Sequence, residues 1–486
     1  MRRAVVVLLL LIANAVFGSD NAGDARAPHR VAVPSTVAGQ LLEEWLTAYN
    51  AADREALRKF AATRYTPEAR KGRSADAIAD GQVESHQSTA GYDLVKVEES
   101  APTELAAVLK SRGTFARYIR LSLKLAAADQ PLLADRTVAV LPAPAEEKKP
   151  APQLAQEIER KLDELAKKEQ FSGVAMIAKD GEPLWQKAYG LQDREKKTPV
   201  DFETRFRLGS MPKMFTSVAI AQLVEAGKLR FTDKLADVLS DYPNKEIAQK
   251  ITIHQLLTHT SGLGNIFGPE FFEKKDSLRT LADYLPLFVD KPLQFQPGAK
   301  WSYSNAGFLV LGLVIEKLSG QSYYDYVAQH IYAPAGMTSS GNTPITERPQ
   351  NLAIGYTRFQ SPDLTPNSDS LPYRGMSAGG GESNAGDLLR FAKALRGYKL
   401  LSREMTELIT AGKVEEQPGG GPSRYAYGFS DRVANGTRIV GHNGGAPGMN
   451  ADLSILWNEG YAVIVLANVD PTVAQDAAQY IADRLI

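Results

Sequence analysis

Ser210 and Lys213 stand three apart in the run Ser210-Met211-Pro212-Lys213, directly before an apolar stretch from Met214 to Leu229 that reads as a helix. Residues three apart on a helix share a face, so the Lys213 amine can reach the Ser210 hydroxyl. A serine is a poor nucleophile until a base takes its proton, and a lysine can act as that base where burial leaves it partly neutral. Pro212 is tolerated in a first helical turn because its missing N–H would lack a partner there. The Ser210 backbone N–H, near the positive end of the helix, is suited to an oxyanion. A capping serine beside a surface lysine would account for the same spacing.

Two later groups add to this chemistry. Tyr303-Ser304-Asn305 precedes an apolar helix, Phe308–Leu318. A phenol near two cations could lose its proton and serve as base or relay, and the Asn305 amide offers a donor and an acceptor. The competing view is a loop tyrosine with Ser and Asn capping the next helix. His442-Asn443-Gly444-Gly445 falls between predicted strands. Glycines here would let a substrate lie against an edge strand, with the Gly445 N–H as a second oxyanion donor. A Gly-rich turn is the plain alternative.

The elements around these groups form two blocks separated by residues 141–153, Leu-Pro-Ala-Pro-Ala-Glu-Glu-Lys-Lys-Pro-Ala-Pro-Gln, whose four prolines predict an extended spacer over 142–153. The block before it, residues 32–141, opens with Leu41, Leu42, Trp45, Leu46 and Tyr49 at helical spacing, followed by Leu57 and Phe60. Strand-like runs follow at Tyr92–Val97, Leu105–Leu109, Ala116–Leu125 and Thr137–Leu141. Helices first and an antiparallel sheet after is an α+β arrangement. Its element order resembles the cone-shaped fold of ketosteroid-isomerase-like domains, although no motif accompanies it. Its histidine, His86, reads as a solvated residue near a loop. In the second block, residues 154–486, a helix at Leu154–Leu165 leads to a hairpin: Phe171–Ala178, the turn Lys179-Asp180-Gly181, then Pro183–Gly190. Strands are expected at Arg438–Gly441, Ala451–Leu456 and Ala462–Ala467, with a closing helix at Val473–Ile486. Strands from both chain ends around a helical middle predict one sheet covered by helices.

Composition narrows the chemistry. The 486 residues are 44% apolar and 23% charged, with 56 basic and 56 acidic side chains, so no basic surplus points to nucleic acid. There is no cysteine, which excludes thiol catalysis, disulfides and Cys-based metal sites, and the six histidines make an all-His metal cluster hard to assemble. No cofactor is expected. Met1-Arg2-Arg3, the apolar run Ala4–Ala13 and Ala13-Asn14-Ala15 predict a secretory signal over residues 1–18, hence a periplasmic or secreted protein without stable membrane insertion once it is removed.

Ser-x-x-Lys, then Tyr-x-Asn about 90 residues on and His-x-Gly about 140 beyond, resembles the serine β-lactamase and penicillin-binding-protein superfamily, within it the class C β-lactamase-like hydrolases. The stretches Leu256–Leu263 and Ser377–Gly381, the latter leading into Asp387–Phe391, strengthen the likeness, which covers about residues 154–486. It implies a helix-covered antiparallel sheet beside a helical region, with the site in the cleft between them. It implies Ser210 as nucleophile, Lys213 and Tyr303 in proton transfer, Ser210 and Gly445 N–H groups as oxyanion hole, and Asn305 as an acyl-orienting residue. Gly444 belongs to the same substrate-lining strand. His259 falls in a stretch usually structural in that family.

One position departs from the pattern. His442 stands where lactamases and transpeptidases of this superfamily carry a lysine that attracts a substrate carboxylate. Histidine is mostly neutral at pH 7, and Lys213 should push it further that way. The expectation is therefore an esterase or amidase on small acyl or D-amino-acid-type substrates. The alternatives are a D,D-carboxypeptidase or weak β-lactamase, and a non-catalytic binder of cell-wall peptides. Such a binder would be expected to have lost Ser210, Lys213 or Tyr303, and all three are present.

Overall fold

A computed structural model describes residues 31–349, 351–359, 361–416 and 423–485. The expected signal segment, residues 1–18, lies outside them. Among the described residues no helix is long and apolar enough to cross a membrane.

The N-terminal block is built from α1 (Val37–Asn50), α2 (Arg54–Arg64) and α3 (Ala75–Thr89), then an antiparallel meander of β1 (Tyr92–Ser100), β2 (Glu104–Ser111), β3 (Tyr118–Ala127) and β4 (Gln130–Leu141). Helices before sheet is the order the sequence predicts. Leu41, Leu42 and Trp45 pack with Leu57, Phe60, Leu109 and Leu121 in one apolar core. His86 differs from expectation. It sits in the last turn of α3, half-buried against Tyr49 at 5.6 Å between ring centres, because the helix runs further than the loop reading allowed.

The second block carries an eight-stranded antiparallel sheet in which chain order and sheet order differ. Its early strands are β5 (Gly173–Lys179) and β6 (Glu182–Tyr189), separated by a turn at Asp180 and Gly181 with φ of 51° and 86°. Helices α4 (Ala151–Lys167), α5 (Lys213–Glu225) and α6 (Asn305–Ser319) belong to this block. Late strands are β7 (Val414–Glu415), β8 (Ser423–Tyr425), β9 (Ser430–Ala434), β10 (Thr437–Ala446), β11 (Met449–Leu456) and β12 (Tyr461–Ala467), before α7 (Val473–Arg484). The order is β7-β8-β9-β10-β11-β12-β5-β6, so the hairpin from the start of the block pairs with the last strand. Alternation along the strands feeds two cores. Met176, Leu453, Ile455 and Leu466 face the helical middle with α5 and α6, whereas Ile177, Leu456, Val463 and Val465 face α4 and α7.

The proline-rich run is not a free spacer. It stays extended except for a single turn at Ala145–Glu147, and α4 begins at Ala151, inside the predicted linker. The Lys149 N–H donates to the Arg484 carbonyl at 2.7 Å, and the Asn435 amide donates to the Ala143 carbonyl at 2.7 Å. Glu147 is the anchor: it accepts from Lys110 Nζ at 2.7 Å, Tyr118 Oη at 2.5 Å and Arg484 Nε at 2.8 Å. Arg484 is 2% exposed, so a charge that would be costly alone is matched by Glu147. These donors outweigh the burial of Glu147 and hold its carboxyl at about 2.

Glu147→Gln should therefore cost roughly 3 kcal/mol near neutral pH by leaving Arg484 unmatched. A carboxyl depressed in the folded state stabilises above its unfolded value of about 4.5, and that stability is lost as pH falls towards about 2. Urea midpoints of parent and variant should differ at pH 7, draw together below about 4.5 and meet only near about pH 2; a constant gap would refute this anchor.

Candidate active site

Ser210 lies on a tight turn rather than in the helix itself. The Lys213 N–H donates to the Ser210 carbonyl at 3.1 Å and the Met214 N–H to the Met211 carbonyl at 3.0 Å, so α5 starts at Lys213 with Pro212 before it. A brace comes from Ser377–Gly381, where the Gly380 N–H donates to the Gly209 carbonyl at 2.6 Å and the Leu208 N–H to Gly381 at 3.2 Å. Gly209 has φ +55°, and a methyl group there would come within 2.7 Å of the Gly445 nitrogen. A methyl on Gly444 would come within 2.8 Å of the Ser210 nitrogen. Glycine at both positions lets the two backbone amides of the expected oxyanion hole approach one another. Among the described residues the Ser210 N–H has no acceptor.

Lys213 is fully buried. Its Nζ donates to Asn305 Oδ1 at 2.8 Å and to the Ala378 carbonyl, and lies 4.8 Å from the Tyr303 ring centre and 5.5 Å from that of Phe308. Facing rings favour a desolvated cation by about 2 kcal/mol or somewhat more, whereas loss of hydration costs a buried charge several kcal/mol, and here no carboxylate among the described residues offsets it. Burial wins, and the amine is held well below its ordinary value. A neutral amine has two hydrogens, matching the two acceptors, and keeps its lone pair for a proton.

Tyr303 is half-buried, with its phenol in hydrogen-bond reach of the Ser210 hydroxyl. Burial pushes the phenol above its ordinary range, against the opposing effect of Ser210. Loss of the Tyr303 proton would need cations beside it, as the sequence reading noted. The structure instead makes both neighbours neutral by burial, so Tyr303 rests as a protonated phenol and not as a phenolate. Ser304 caps α6, accepting the Gly307 N–H at 3.0 Å, and its own N–H donates to His259 Nδ1 at 3.0 Å. His259 has φ +58° and no exposed surface, and burial keeps its ring neutral. It positions the Tyr303–Asn305 loop and faces the Tyr303 ring at 4.3 Å.

His442, Gly444 and Gly445 lie within β10 and not in a loop between strands. Ladder pairing explains this: Ile439–Gly445 pair continuously with Leu456–Asn450 of β11, whereas β9 pairs with β10 only as far as Gly441. From His442 onward one edge is therefore free. His442 Nδ1 lies 2.5 Å from the Asn443 carbonyl and must carry the hydrogen. Its Nε2 then accepts from Tyr425 Oη at 3.1 Å. Burial first, and Lys213 second, lower the ring to about 4.

Ser210, Lys213, Tyr303, Asn305, His442, Gly444 and Gly445 thus converge from the turn and start of α5, the loop and start of α6, and β10. Three partners escaped the sequence reading. The Ala378 carbonyl lies in the Ser377–Gly381 run, which was noted without a role. Asn265 Oδ1 accepts from Asn305 Nδ2 at 3.0 Å, two residues beyond the Leu256–Leu263 stretch. Tyr425 had no sequence signal, since β8 delivers it only through the sheet. Among the described residues no group of three or more His, Asp or Glu could hold a metal.

Residues 158–486 match the family described as Beta-lactamase, and the chain belongs to that family. Penicillin-binding protein 4* of Bacillus subtilis is 31% identical over 325 residues, covering 63% of this chain and 70% of the relative. D-aminopeptidase of Cereibacter sphaeroides is 24% identical over 64% of this chain and 60% of its own length. Among solved structures, a penicillin-binding protein from Bacillus halodurans superposes with TM-score 0.60 at 33% identity, covering 66% of this chain and 98% of that one. A D-stereospecific amidohydrolase from Streptomyces does so with TM-score 0.58 at 25% identity, over 69% and 98%. The chain is a serine hydrolase of this family, with its β-lactamase/penicillin-binding-protein fold.

Because burial depresses His442 in the fold, its contribution to stability is present above about 6.5 and lost as pH falls towards about 4. The onset of charging below about pH 6, expected from the free residue, is moved down accordingly. NMR of the His442 ring should show a neutral Nδ1–H form at pH 6; titration centred near 6.5 would show that the ring is hydrated instead.

Proposed function

We propose that this is an exported serine hydrolase that forms an acyl-enzyme on Ser210 and acts on esters and small amides, D-amino-acid amides among them. The neutral Lys213 lone pair takes the Ser210 proton, directly or through the Tyr303 phenol, as Oγ bonds to the substrate carbonyl carbon. The Ser210 and Gly445 N–H groups receive the developing oxyanion. The Tyr303 O–H protonates the departing alcohol or amine and is reprotonated from Lys213, and water reverses the sequence to release the acid. Asn305, held by Lys213 and Asn265, presents its amide to the acyl group.

The observation that carries the substrate preference is His442. It is neutral, and both ring nitrogens are engaged by Asn443 and Tyr425, so it offers neither charge nor a free donor to a carboxylate. The D-aminopeptidase and D-stereospecific amidohydrolase relatives agree with this preference. A D,D-carboxypeptidase reading draws on the 31% identity to penicillin-binding protein 4* and requires a contact for a C-terminal carboxylate that His442 does not provide. Export rests on the basic start and apolar run of residues 1–15.

Ser210→Ala should lower turnover by about a thousandfold or more while a fluorophosphonate labels only the parent at Ser210. A D-alanine amide should be cleaved with higher kcat/KM than the matched D-Ala-D-Ala peptide. His442→Lys should move that ratio towards the carboxylate by roughly 5- to 150-fold. Labelling at another serine would overturn the nucleophile, and an unmoved ratio would overturn the amide preference.

A further inference from the structure

β10 has a second face. Opposite His442, the alternation of the strand places Gly441 and Asn443 beside Ser454 and Asp452 of β11, on the side covered by α7. A cavity of about 290 Å³ is lined by these residues and by His442 itself. Its far wall is Val140 and Pro142, contributed by β4 and the run after it, so both blocks of the chain enclose it.

The cavity is electrostatically lopsided. Asp452 is only 8% exposed; one carboxylate oxygen accepts from Ser454 Oγ at 2.8 Å, and the other has no protein donor among the described residues. Glu416 enters from the β7 edge and, among the described residues, is met by the Ser423 and Ser430 hydroxyls, with Ser423 Oγ at 3.3 Å. Arg432 also lines this wall; its Nη1 is engaged by Asp483, while its Nη2 is buried with no hydrogen-bond partner among the described residues. Burial pushes Asp452 to about 7 against the opposing effects of Ser454 and Arg432, and burial likewise raises Glu416 against its serine partners. Gln475 and Gln479 of α7 add amide oxygens, while Val140, Pro142 and Leu453 offer apolar surface. Glu416 also bears electrostatically on Tyr303 and Tyr425, so the cavity adjoins the candidate active site.

We infer that this cavity binds the ammonium group of a small alkylamine, with Asp452 as its charged acceptor, the glutamine amides as neutral acceptors and the Val140–Pro142 wall against its hydrocarbon. The amine is either part of the substrate held at Ser210 or a free molecule. Binding itself does not require Ser210 chemistry, so it can fail or succeed apart from the hydrolase reading.

Calorimetric titration of the full chain with n-butylammonium chloride, and with 1-butanol as its neutral counterpart, tests this at a pH above the Asp452 value of about 7. The ammonium should bind roughly tenfold or more tightly than the alcohol, since charge-assisted hydrogen bonds are about twice as strong as neutral ones. Asp452→Asn should erase that preference. Gln479→Lys, which supplies an internal ammonium, should block the probe without removing any carboxylate. Competitive inhibition of neutral-ester hydrolysis would assign the cavity to the substrate's own amine, and binding with no change in KM would assign it to a free amine. Equal affinity for alcohol and ammonium, or undiminished binding in both variants, would overturn the site.

Discussion

Full burial of Lys213 is the condition on which the rest of this site depends. A hydrated lysine is a cation with no lone pair and cannot take the Ser210 proton. Enclosing its stem in α5 and its tip between the Tyr303 and Phe308 rings removes that hydration, and two neutral carbonyl acceptors leave the amine neutral and oriented. Among the described residues no carboxylate contacts the amine; one would restore the charge and silence the proposed base. The apolar helical middle of the chain is the surrounding that makes a neutral lysine cheaper than a charged one.

Around that amine, each loop is held by a short polar link. Ser304 caps α6 while its N–H is held by His259, which accepts a left-handed backbone costing about 1–2 kcal/mol to place its ring there. Gly379 and Gly380 brace the Ser210 turn, and Gly209 and Gly444 let that turn meet the free edge of β10. These contacts form a second layer behind the reacting groups, fixing amides and amines that would otherwise sample many rotamers.

Charge distribution across β10 gives the family chemistry its particular direction here. On the cleft face, burial and Tyr425 make His442 a neutral, fully engaged ring. Beyond it, the cavity carries the carboxyls of Asp452 and Glu416, and the Arg432 that bears on Asp452 is already paired with Asp483. In the proposed reading, both weigh against a substrate carboxylate there. The N-terminal block is not a remote appendage in this arrangement: Glu147 docks it onto α7 through Arg484, and Pro142 reaches the cavity wall.

Much of this was legible in the residues. The periodic runs marked α1, the β5–β6 hairpin and β11–β12 within a few positions, because local alternation and the Asp-Gly turn encode them directly. Ser210, Lys213, Tyr303, Asn305 and His442 were recognisable from type, order and spacing, since those are properties of the chain alone. Pairing β12 with β5, extending β10 through His442–Gly445 and seating the proline-rich run on α7 were decided by contacts between residues far apart in the chain. The same holds for protonation states. Sequence predicted a neutral His442 and left open whether Tyr303 is a phenol or a phenolate, and only the packed interior determines how much hydration each group loses. Tyr425, Asn265 and the Ala378 carbonyl had no motif to announce them because their roles are made by position. Residue chemistry was the sequence's own determination; charge, tautomer and partners were decided by the fold, because they depend on what replaces water around each atom.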